Sequence, residues 1–317
     1  MLSADIKPGI SILIPTWNGE ALLRQYLPPL HAVMSQYAGP WECVIVDDGS
    51  TDETLSMLAA DFSWARVVPL PKNGGVSPAF NAGLRETKYP LVLSLNNDVR
   101  VKPGFLEPLL EAFRTIPDLF GAGSLQRGRN PKGEPISEGY AELVWRNGVF
   151  FLKDETDQVL AGRTPNPGYL GLACALLDRE KLVALQGMNE IFTPFYWEDA
   201  ELCIRARLAG WQICFCPASQ VDHCHSTTTR KKPLLLRIIP VRNLHLIHWL
   251  LLDDSAFWRD YRSKMGRRML RETLQGKFGL LGGLMLALLK LPVVMRSRRR
   301  YVALRKRNLR DIVRIEE

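Results

Sequence analysis

Short apolar runs alternate with amphipathic stretches through the first third of the chain. Four runs have the length and β-branched content of buried strands, namely "GISILIPTWN", "WECVIVDDGS", "ARVVPL" and "YPLVLSLNNDVRV". The pattern predicts helices over "TDETLSMLAADF", with Ser50 or Thr51 as N-cap, and over "VSPAFNAGLRET". The stretch "EALLRQYLPPLHAVMSQY" also has helical spacing, although Pro28 and Pro29 argue against one continuous helix.

This alternation predicts an α/β fold of Rossmann-like type, in which a mostly parallel sheet carries helices on both faces. Ligands of such sheets bind beyond the carboxyl ends of the strands. Three of the four predicted strands end there in polar residues, which are Thr16 to Asn18, Asp47–Asp48 and Asn96 to Asp98. A nucleotide site is therefore expected at this edge of the sheet.

The pattern is looser after residue 120, and helices dominate beyond Pro233. The polar stretch "RGRNPKGEPISEG" predicts an exposed loop. The stretch "GYLGLACALLDREKLVALQGMNE" predicts a strand and then a helix that ends near Gly187, and "WQICFCP" predicts another strand. The second half of the chain is thus expected to complete the sheet and then to add a helical extension.

Composition places the chain among globular proteins and locates its charge. The 317 residues are 46% hydrophobic, which is enough for a sizeable core, and the amino end lacks the pattern of a signal peptide. The six cysteines form no C-x-x-C pair, so reduced cytosolic thiols are expected. Residues 259–317 hold 17 Lys and Arg against 5 Asp and Glu, whereas the rest of the chain is slightly acidic. This distribution indicates an anionic lipid surface as a partner of the tail and argues against nucleic acid.

The tail also contains a nearly apolar stretch, "FGLLGGLMLALLKLPVVM", followed by "RSRRR". It is short for a transmembrane span, which needs ~20 apolar residues. An interfacial or re-entrant segment, held by the arginines that follow, fits this pattern better. The competing interpretation is a core helix that packs on the main domain.

Two polar strand ends have the residue types of a nucleotide and metal site. Asp48, beside Gly49–Ser50, can accept hydrogen bonds from a base or ribose, or can simply cap a helix. Asp98, beside Asn97, can hold Mg²⁺ or Mn²⁺ against phosphate oxygens, or the pair can close the strand as an Asx turn. No G-x-G-x-x-G follows the first strand and no P-loop motif occurs, so dinucleotide oxidoreductases and P-loop phosphotransferases lose their main support.

A third group of acids lies in "FTPFYWEDAELCIRARLAGW", directly after three aromatic residues. Acids in a first turn and arginines in a last turn complement a helix dipole. A carboxylate against an aromatic wall can also be tuned as a general base. The stretch by itself leaves both interpretations open.

Seven segments, taken in order, resemble the inverting glycosyltransferases of family two, whose fold is called GT-A. They are "SILIPTWNG", "VIVDDGSTDET", "NGGVSPAFNAGL", "LSLNNDV", "LACALLDREKL", "GMNEIFTPFYWEDAELCIRARLAGW" and "VDHCHS". The pattern is closest to that of rhamnosyltransferase-like enzymes that build bacterial cell-surface glycans. We therefore expect a GT-A catalytic domain over residues 1–228 and a basic, largely helical, membrane-associated region over residues 229–317.

The resemblance implies a role for each matching residue. Those expected to bind nucleotide and substrate are Pro15, Thr16, Trp17, Asn18, Asp48, Asn97, Trp197 and Glu198. Asp98 stands in the metal-binding "D-x-D" position, whose first acid is here an amide, and is expected to face Mg²⁺ or Mn²⁺. His223 matches a histidine that helps to hold the metal or diphosphate in some relatives, with His225 as the competing candidate. Asp199 would be the general base, and Glu198 would orient the acceptor.

The expected activity is metal-dependent transfer of a sugar, with inversion, from a dTDP-rhamnose or UDP-hexose type of donor. The acceptor would be a hydroxyl of a lipid-linked or cell-surface glycan in cell-wall or polysaccharide biosynthesis. The tail would hold the enzyme at the cytoplasmic face of the membrane, and two chains could pair through it as a homodimer.

Two alternative functions are a sugar-nucleotide nucleotidyltransferase and a non-catalytic partner protein that keeps the fold. The first needs a Gly-rich basic loop after the first strand, which "PTWNGEALLRQ" does not supply. The presence of both Asp98 and Asp199 argues against the second.

Overall fold

The computed structural model describes residues 7–130, 132–163, 167–224 and 234–316, apart from the side chains of 234–237. From the amino end, the elements are β1 (Ile10–Thr16), α1 (Glu20–Met34), β2 (Trp41–Asp47), α2 (Thr54–Asp61), β3 (Arg66–Pro69), α3 (Val76–Glu86), β4 (Leu91–Leu95), β5 (Val99–Val101) and α4 (Leu106–Thr115). They continue with β6 (Leu119–Arg129), β7 (Pro135–Glu138), β8 (Tyr140–Arg146), β9 (Val149–Asp154), α5 (Thr156–Leu160), β10 (Tyr169–Leu170), β11 (Cys174–Asp178), α6 (Arg179–Ala184), α7 (Glu198–Leu208) and β12 (Gln212–His223). The last are α8 (Leu234–Leu251), α9 (Ser255–Leu274), α10 (Gly279–Leu288), α11 (Leu291–Leu304) and β13 (Arg314–Ile315).

The main sheet has the strand order β3-β2-β1-β4-β11-β6-β12-β5, with β7 attached to β6. Strands β1 to β4 are parallel, β11 is antiparallel to both of its neighbours, and β12 is parallel to β6. A smaller sheet has the order β10-β8-β13, with β9 attached to β8. The α/β fold with a mostly parallel sheet is confirmed, and the carboxyl ends of β1, β2 and β4 meet at one edge.

Alternate residues of the central strands enter different cores, which explains why these strands are apolar throughout. In β1, Ile12 and Ile14 pack into the core on one face of the sheet, whereas Leu13 packs into the core on the other. In β2, Ile45 and Val46 divide in the same way. Because successive side chains of a strand point to opposite faces, helices on both sides of the sheet require an apolar residue at each position.

Two expected elements differ from those observed. The single strand expected over "YPLVLSLNNDVRV" is divided into β4 and β5, because the chain turns at Asn96 to Asp98 and β5 pairs with β12 instead. The expected loop "RGRNPKGEPISEG" is mostly a hairpin of β6 and β7, in which Gln126 pairs with Glu138. The first error arose because Val99 and Val101 continue the apolar pattern of β4 beyond the turn, and the second because polar residues on an edge hairpin carry little hydrophobic signal.

The expected break in α1 was wrong, since the helix runs unbroken through Pro28 and Pro29. Pro28 lies on the exposed side of α1, as do Arg24 and Gln25 one turn earlier. Carbonyl groups that lose a helical partner to a proline can therefore be hydrated there.

The C-terminal region is helical, as expected, but it also rejoins the rest of the molecule. Helices α8 to α11 form a core with β8, β9 and α7, and β13 pairs in parallel with β8. The domain boundary expected after residue 228 lies outside the described residues.

The tail helices are bent and only half covered. Helices α10 and α11 meet at an angle of 70°, and among the described residues no single helix has the length and apolar character needed to cross a membrane, although this bent pair has them together. One side of α10 packs on α8 through Leu280, Gly283 and Ala287, while Met285 and Leu288 are exposed. The core interpretation of this stretch thus describes its buried side.

Candidate active site

The ends of β1 and β4 are joined by polar side chains. The amide of Asn97 donates a hydrogen bond to Thr16 Oγ1 at 2.8 Å. Trp17, directly after β1, is 43% exposed and is therefore available for stacking against a ligand. Pro15 is the second-last residue of β1 and pairs with Val46 of β2. The predicted nucleotide residues of these two strands are therefore neighbours.

Asn18 joins this edge to the loop between β2 and α2. Its backbone N–H donates to Ser50 Oγ and its side-chain oxygen accepts from the Thr51 N–H, both at 2.8 Å. These contacts correct the expectation that Ser50 or Thr51 caps α2, which begins only at Thr54. The two residues instead hold the loop after β1 against the loop after β2.

Asp48, the residue after β2, fixes the loop that begins α3. Its two carboxylate oxygens accept hydrogen bonds from the N–H groups of Gly74 and Gly75, each at 2.8 Å. Gly75 has φ +90°, and a Cβ there would lie 2.9 Å from the carbonyl oxygen of Pro194, so only glycine fits comfortably. Burial raises the pKa of Asp48, while the two glycine N–H groups oppose that shift.

Asp98 and His223 come together because β5 pairs antiparallel with β12, with Val99 opposite His223. His223 Nε2 lies 3.3 Å from Asp98 Oδ1, and its Nδ1 lies 3.0 Å from Gln126 Oε1. Gln126 also donates through Nε2 to the carbonyl of Gly171, which orients its amide and leaves Oε1 to accept from His223 Nδ1. The competing candidate, His225, lies outside the described residues.

This arrangement fits a divalent cation. Because Gln126 keeps the proton on Nδ1, the lone pair of His223 Nε2 faces the Asp98 carboxylate, and two electron-rich atoms so placed suit a shared cation, whether proton or metal. Among the described residues, no three His, Cys, Asp or Glu side chains cluster as a metal site. Mg²⁺ at a diphosphate needs only one or two protein ligands, since phosphate oxygens and waters supply the others.

The second wall of the site is the aromatic loop, which we define as residues 192–197. It leads into α7 through two residues with left-handed backbone, Tyr196 at φ 75° and Trp197 at φ 79°. A non-glycine residue in this region costs ~1–3 kcal/mol and persists only when its surroundings hold it. The strained backbone of Tyr196 and Trp197 therefore sets the direction in which the first turn of α7 begins.

Glu198 and Asp199 open α7, yet their surroundings differ. Asp199 Oδ2 accepts a 2.8 Å hydrogen bond from the Tyr169 hydroxyl, and Oδ1 accepts one from the Ala200 N–H. Glu198 Oε2 is buried and has no hydrogen-bond partner among the described residues. The positive end of the helix dipole stabilises a negative charge at this point. The hydrogen bonds favour Asp199 over Glu198 as the residue that carries it.

The pKa values follow the same division. Burial, and then the neighbouring Asp199, raise the pKa of Glu198 to about 8. Burial also raises the pKa of Asp199, but the bonds from Tyr169 and Ala200 lower it. The hydrogen bonds from Tyr169 and Ala200 therefore favour the negative charge on Asp199, and burial of Glu198 Oε2 without a hydrogen-bond partner among the described residues favours the proton on Glu198.

Asp199 and His223 line the same cavity of about 600 Å³. Its walls also include Tyr169, Trp197 and Gln126. Since His223 contacts Asp98, a base candidate and a metal-site candidate face one space that can hold a small ligand. Glu201 and Arg205, farther along α7, form a buried ion pair with 2.8 Å between Oε1 and Nε. Their role is therefore within the helix itself.

Tyr169 and Gln126 were missed in the sequence. Tyr169 lies in a two-residue strand at the start of a stretch for which a strand and a helix were predicted, and Gln126 lies in β6, one residue before the stretch expected to be an exposed loop. Neither has a neighbour in sequence that signals chemistry. Only the pairing of distant strands brings them to Asp199 and His223.

Comparison with known proteins identifies the family. A family model described as glycosyl transferase family 2 matches residues 11–182, more than half of the chain. An N-acetylglucosaminyl-diphospho-decaprenol L-rhamnosyltransferase of Mycobacterium tuberculosis is 24% identical, over 95% of this chain and 98% of that protein. An undecaprenyl-phosphate 4-deoxy-4-formamido-L-arabinose transferase of Aeromonas hydrophila is 32% identical, over 41% of this chain and 40% of that protein.

Solved structures share the fold. GalNAc-T7, solved with UDP, GalNAc and Mn²⁺, has a TM-score of 0.63 at 17% identity, over 82% of this chain and 50% of that chain. TarS of S. aureus, solved with UDP-GlcNAc, has a TM-score of 0.55 at 17% identity, over 93% of this chain and 89% of that chain. The fold is that of the GT-A glycosyltransferases, and the protein belongs to glycosyl transferase family 2.

Proposed function

We propose that this glycosyltransferase moves a sugar, with inversion, from a nucleotide diphosphate donor to a hydroxyl of a lipid-linked acceptor. The observation that carries the proposal is the single cavity shared by Asp199 and His223. A donor of the dTDP-rhamnose or UDP-hexose type is consistent with the names of the rhamnosyltransferase relative and of the UDP-bound neighbours. Both curated relatives act, by name, on polyprenyl-linked substrates.

Asp199 acts as the general base in this proposal. The acceptor oxygen bonds to the anomeric carbon while the bond from that carbon to the diphosphate oxygen breaks, and Asp199 takes the hydroxyl proton. Attack on the face opposite the leaving group inverts the configuration and passes through an oxocarbenium-like state. Tyr169 keeps Asp199 ionised, and protonated Glu198 avoids a second negative charge next to it.

The residues on the opposite side bind the donor. Thr16, Trp17, Asn18 and Asp48 provide the nucleotide surface at the strand edge, with Trp17 exposed for stacking on the base. Asp98 and His223 would hold Mg²⁺ or Mn²⁺, which, when bound, neutralises the charge on the leaving diphosphate. Gln126 orients the His223 ring through Nδ1.

Transfer assays with Asp199→Asn test this proposal. The purified protein is incubated with Mn²⁺, a panel of nucleotide sugars and a polyprenyl-diphosphate-linked sugar. Loss of the base should reduce turnover ~10²–10⁴-fold while the Kd for the donor nucleotide stays unchanged. Asp61→Asn, which alters an exposed ion pair with Arg24, serves as the matched control. Transfer by Asp199→Asn at the wild-type rate would reject the mechanism.

We further propose that the tail segment, defined as residues 270–304, docks on an anionic lipid surface at the cytoplasmic face of the membrane. Eleven of the nineteen large apolar side chains that are described as exposed lie in this segment. Leu274 and Leu289 are the most open, at 80% and 77%. Exposed arginines and lysines surround them, and Glu272 is the one acid in the segment. Apolar side chains with a basic margin suit the interface of an anionic bilayer.

Sedimentation with vesicles tests the docking surface. The double variant Leu274→Glu and Leu289→Glu should lose most of its binding to vesicles of phosphatidylcholine and phosphatidylglycerol, since burying each leucine is worth ~1.5–3 kcal/mol. Leu160→Glu is the control, because Leu160 is exposed on α5, outside the tail segment. Wild-type binding should weaken in vesicles of phosphatidylcholine alone. Equal sedimentation of the double variant and the wild type would contradict docking through this segment.

A further inference from the structure

The aromatic loop lies outside regular secondary structure after Phe192, which ends a short 3-10 helix, and it leads directly into the helix that carries Asp199. Tyr196 and Trp197 have left-handed backbone immediately before α7 begins at Glu198. The carbonyl of Trp197 accepts a hydrogen bond from the Glu201 N–H of α7, whereas the carbonyls before it precede the helix, and buried carbonyls need partners. Their partners therefore show what fixes the loop.

The partners are two adjacent side chains from the C-terminal region, Asn243 and Arg242. Asn243, in α8, is fully buried, and its amide nitrogen lies 2.9 Å from each of the carbonyl oxygens of Phe192, Phe195 and Tyr196. These carbonyls span the aromatic loop from its first residue to the residue before Trp197. The side-chain amide of Asn243 therefore links both ends of the aromatic loop to α8.

Arg242 orients this amide. Its Nε and Nη2 donate to Asn243 Oδ1 at 2.9 and 2.7 Å, so the oxygen of Asn243 faces the guanidinium and the nitrogen faces the loop. Nη2 also donates to the carbonyls of Phe192 and Thr193. The pair thus forms a polar cluster, almost wholly buried, in which each amide atom has a defined partner.

We propose that Asn243 is a positioning residue for transfer: it holds the aromatic loop in its left-handed conformation and so places Asp199 against the acceptor. This role deepens the proposed function and rests on Asp199 as the base. Among the described residues, the hydrogen-bond partners of Asn243 are Arg242 and the aromatic loop, not the strand edge that binds the donor in our proposal. Its loss should therefore slow the chemical step without weakening donor binding.

Two variants of Asn243 test the proposal. Asn243→Asp keeps the side-chain volume and the contact with Arg242 but turns an acceptor toward the loop carbonyls. Asn243→Ala removes the donor without repulsion, and covers the case in which the aspartate variant fails to fold. A displacement of ~1 Å at a reacting group can reduce the rate ~10²-fold. We expect single-turnover rates to fall ~10–100-fold while the KM for the donor changes little.

The matched control is His248→Leu on the same helix. His248 is also fully buried, and its Nε2 accepts a hydrogen bond from the Phe150 N–H rather than from the aromatic loop. This variant should lower the melting temperature as the Asn243 variants do, but should keep the single-turnover rate. If His248→Leu reduced the rate as much as the Asn243 variants, the effect would be general destabilisation and the proposal would be overturned.

Hydrogen exchange provides a readout that does not require activity. In both Asn243 variants, amides of residues 195–201 should exchange at least tenfold faster, whereas in His248→Leu they should exchange as in the wild type. Unchanged exchange and unchanged rate in the Asn243 variants would overturn the positioning role and leave the proposed function intact. If Asp199→Asn remained as active as the wild type, the proposed function would fail, and exchange alone would decide whether Asn243 holds the loop.

Discussion

The two sides of the candidate site are built in different ways. At the strand edge, the site residues directly follow β1, β2 and β4, and parallel pairing brings them together. The aromatic loop, by contrast, is held by Asn243 from α8, far along the chain. A sheet edge assembles a site from short sequence signals, whereas a strained loop depends on polar contacts that no local pattern reveals.

This contrast predicts that variants of the strand edge change donor affinity, while variants around the aromatic loop change the rate and its pH dependence. The largest effect on donor affinity is expected for Asp98→Ala. Removal of the carboxylate should weaken Mn²⁺-dependent nucleotide binding by ~10–100-fold, because His223 alone would remain at that position. Calorimetric titration of the nucleotide with Mn²⁺, and again with EDTA, measures the difference.

The control for Asp98 is Asp222→Ala on β12, which removes a nearby negative charge that pairs with Lys102 instead. Its affinity should stay within about twofold of the wild type, because a surface ion pair contributes little. If the wild type bound the nucleotide equally well in Mn²⁺ and in EDTA, the metal would have no part in nucleotide binding at the strand edge.

On the other wall, Tyr169→Phe should shift the pH dependence of turnover. The Tyr169 hydroxyl lowers the pKa of Asp199, so its loss raises that pKa. A base works when ionised, and the acid limb of the kcat profile should therefore move to higher pH. A hydrogen bond to a charged group is worth ~1.5–3 kcal/mol, which corresponds to about tenfold or more in rate at neutral pH.

Tyr37→Phe is the matched control, since its hydroxyl donates to the carbonyl of Pro8, away from the cavity. It should keep the wild-type pH profile. A profile of Tyr169→Phe that coincides with the wild type would show that Asp199 does not govern the acid limb.

Glu198→Gln should leave the stability of the protein at low pH nearly unchanged. It should alter how stability depends on pH above that range. Burial raises the pKa of Glu198 from its ordinary value of 4.5 to about 8. The folded state thus binds this proton more tightly than the unfolded chain does, and the resulting stability is present below pH 4.5 and lost as pH rises through about 8.

The glutamine variant has no such proton to lose. Its melting temperature should match the wild type near pH 5 and exceed it by several degrees at pH 9, where wild-type Glu198 is ionised without a partner. Scanning calorimetry across this range tests the expectation, with Glu20→Gln on the exposed start of α1 as control. A difference in melting temperature that is the same at every pH would show that Glu198 does not titrate in this range.

Sequence reasoning captured the parts of this protein that depend on neighbouring residues. The α/β fold and the helical tail followed from hydrophobic periodicity, and Asp98 with His223 followed from a family resemblance. Asn243, Tyr169 and Gln126 were missed because each acts on a partner far away in sequence. The break expected at Pro28 failed for a different reason, since hydration of exposed carbonyls outweighed a local rule.

The smallest effect is expected where the tail segment approaches the polar cluster that holds the aromatic loop. A Cβ added at Gly283 of α10 would lie 2.5 Å from a methyl group of Val241 and 3.0 Å from the backbone nitrogen of Arg242. Gly283→Ala should therefore displace α10 or move α8. Overpacking of this kind costs ~1–3 kcal/mol.

Gly282 provides the matched control, because a Cβ there would lie 3.5 Å from Ile238, an ordinary contact. Gly282→Ala should be neutral or should raise the melting temperature, since alanine favours a helix over glycine by ~1 kcal/mol, whereas Gly283→Ala should lower it. If α8 moves, Gly283→Ala should also reduce the single-turnover rate about two- to threefold, at unchanged donor affinity, because the aromatic loop follows Asn243. If only α10 moves, the single-turnover rate should stay at the wild-type value. That result would show that a displacement of the tail segment does not reach the aromatic loop.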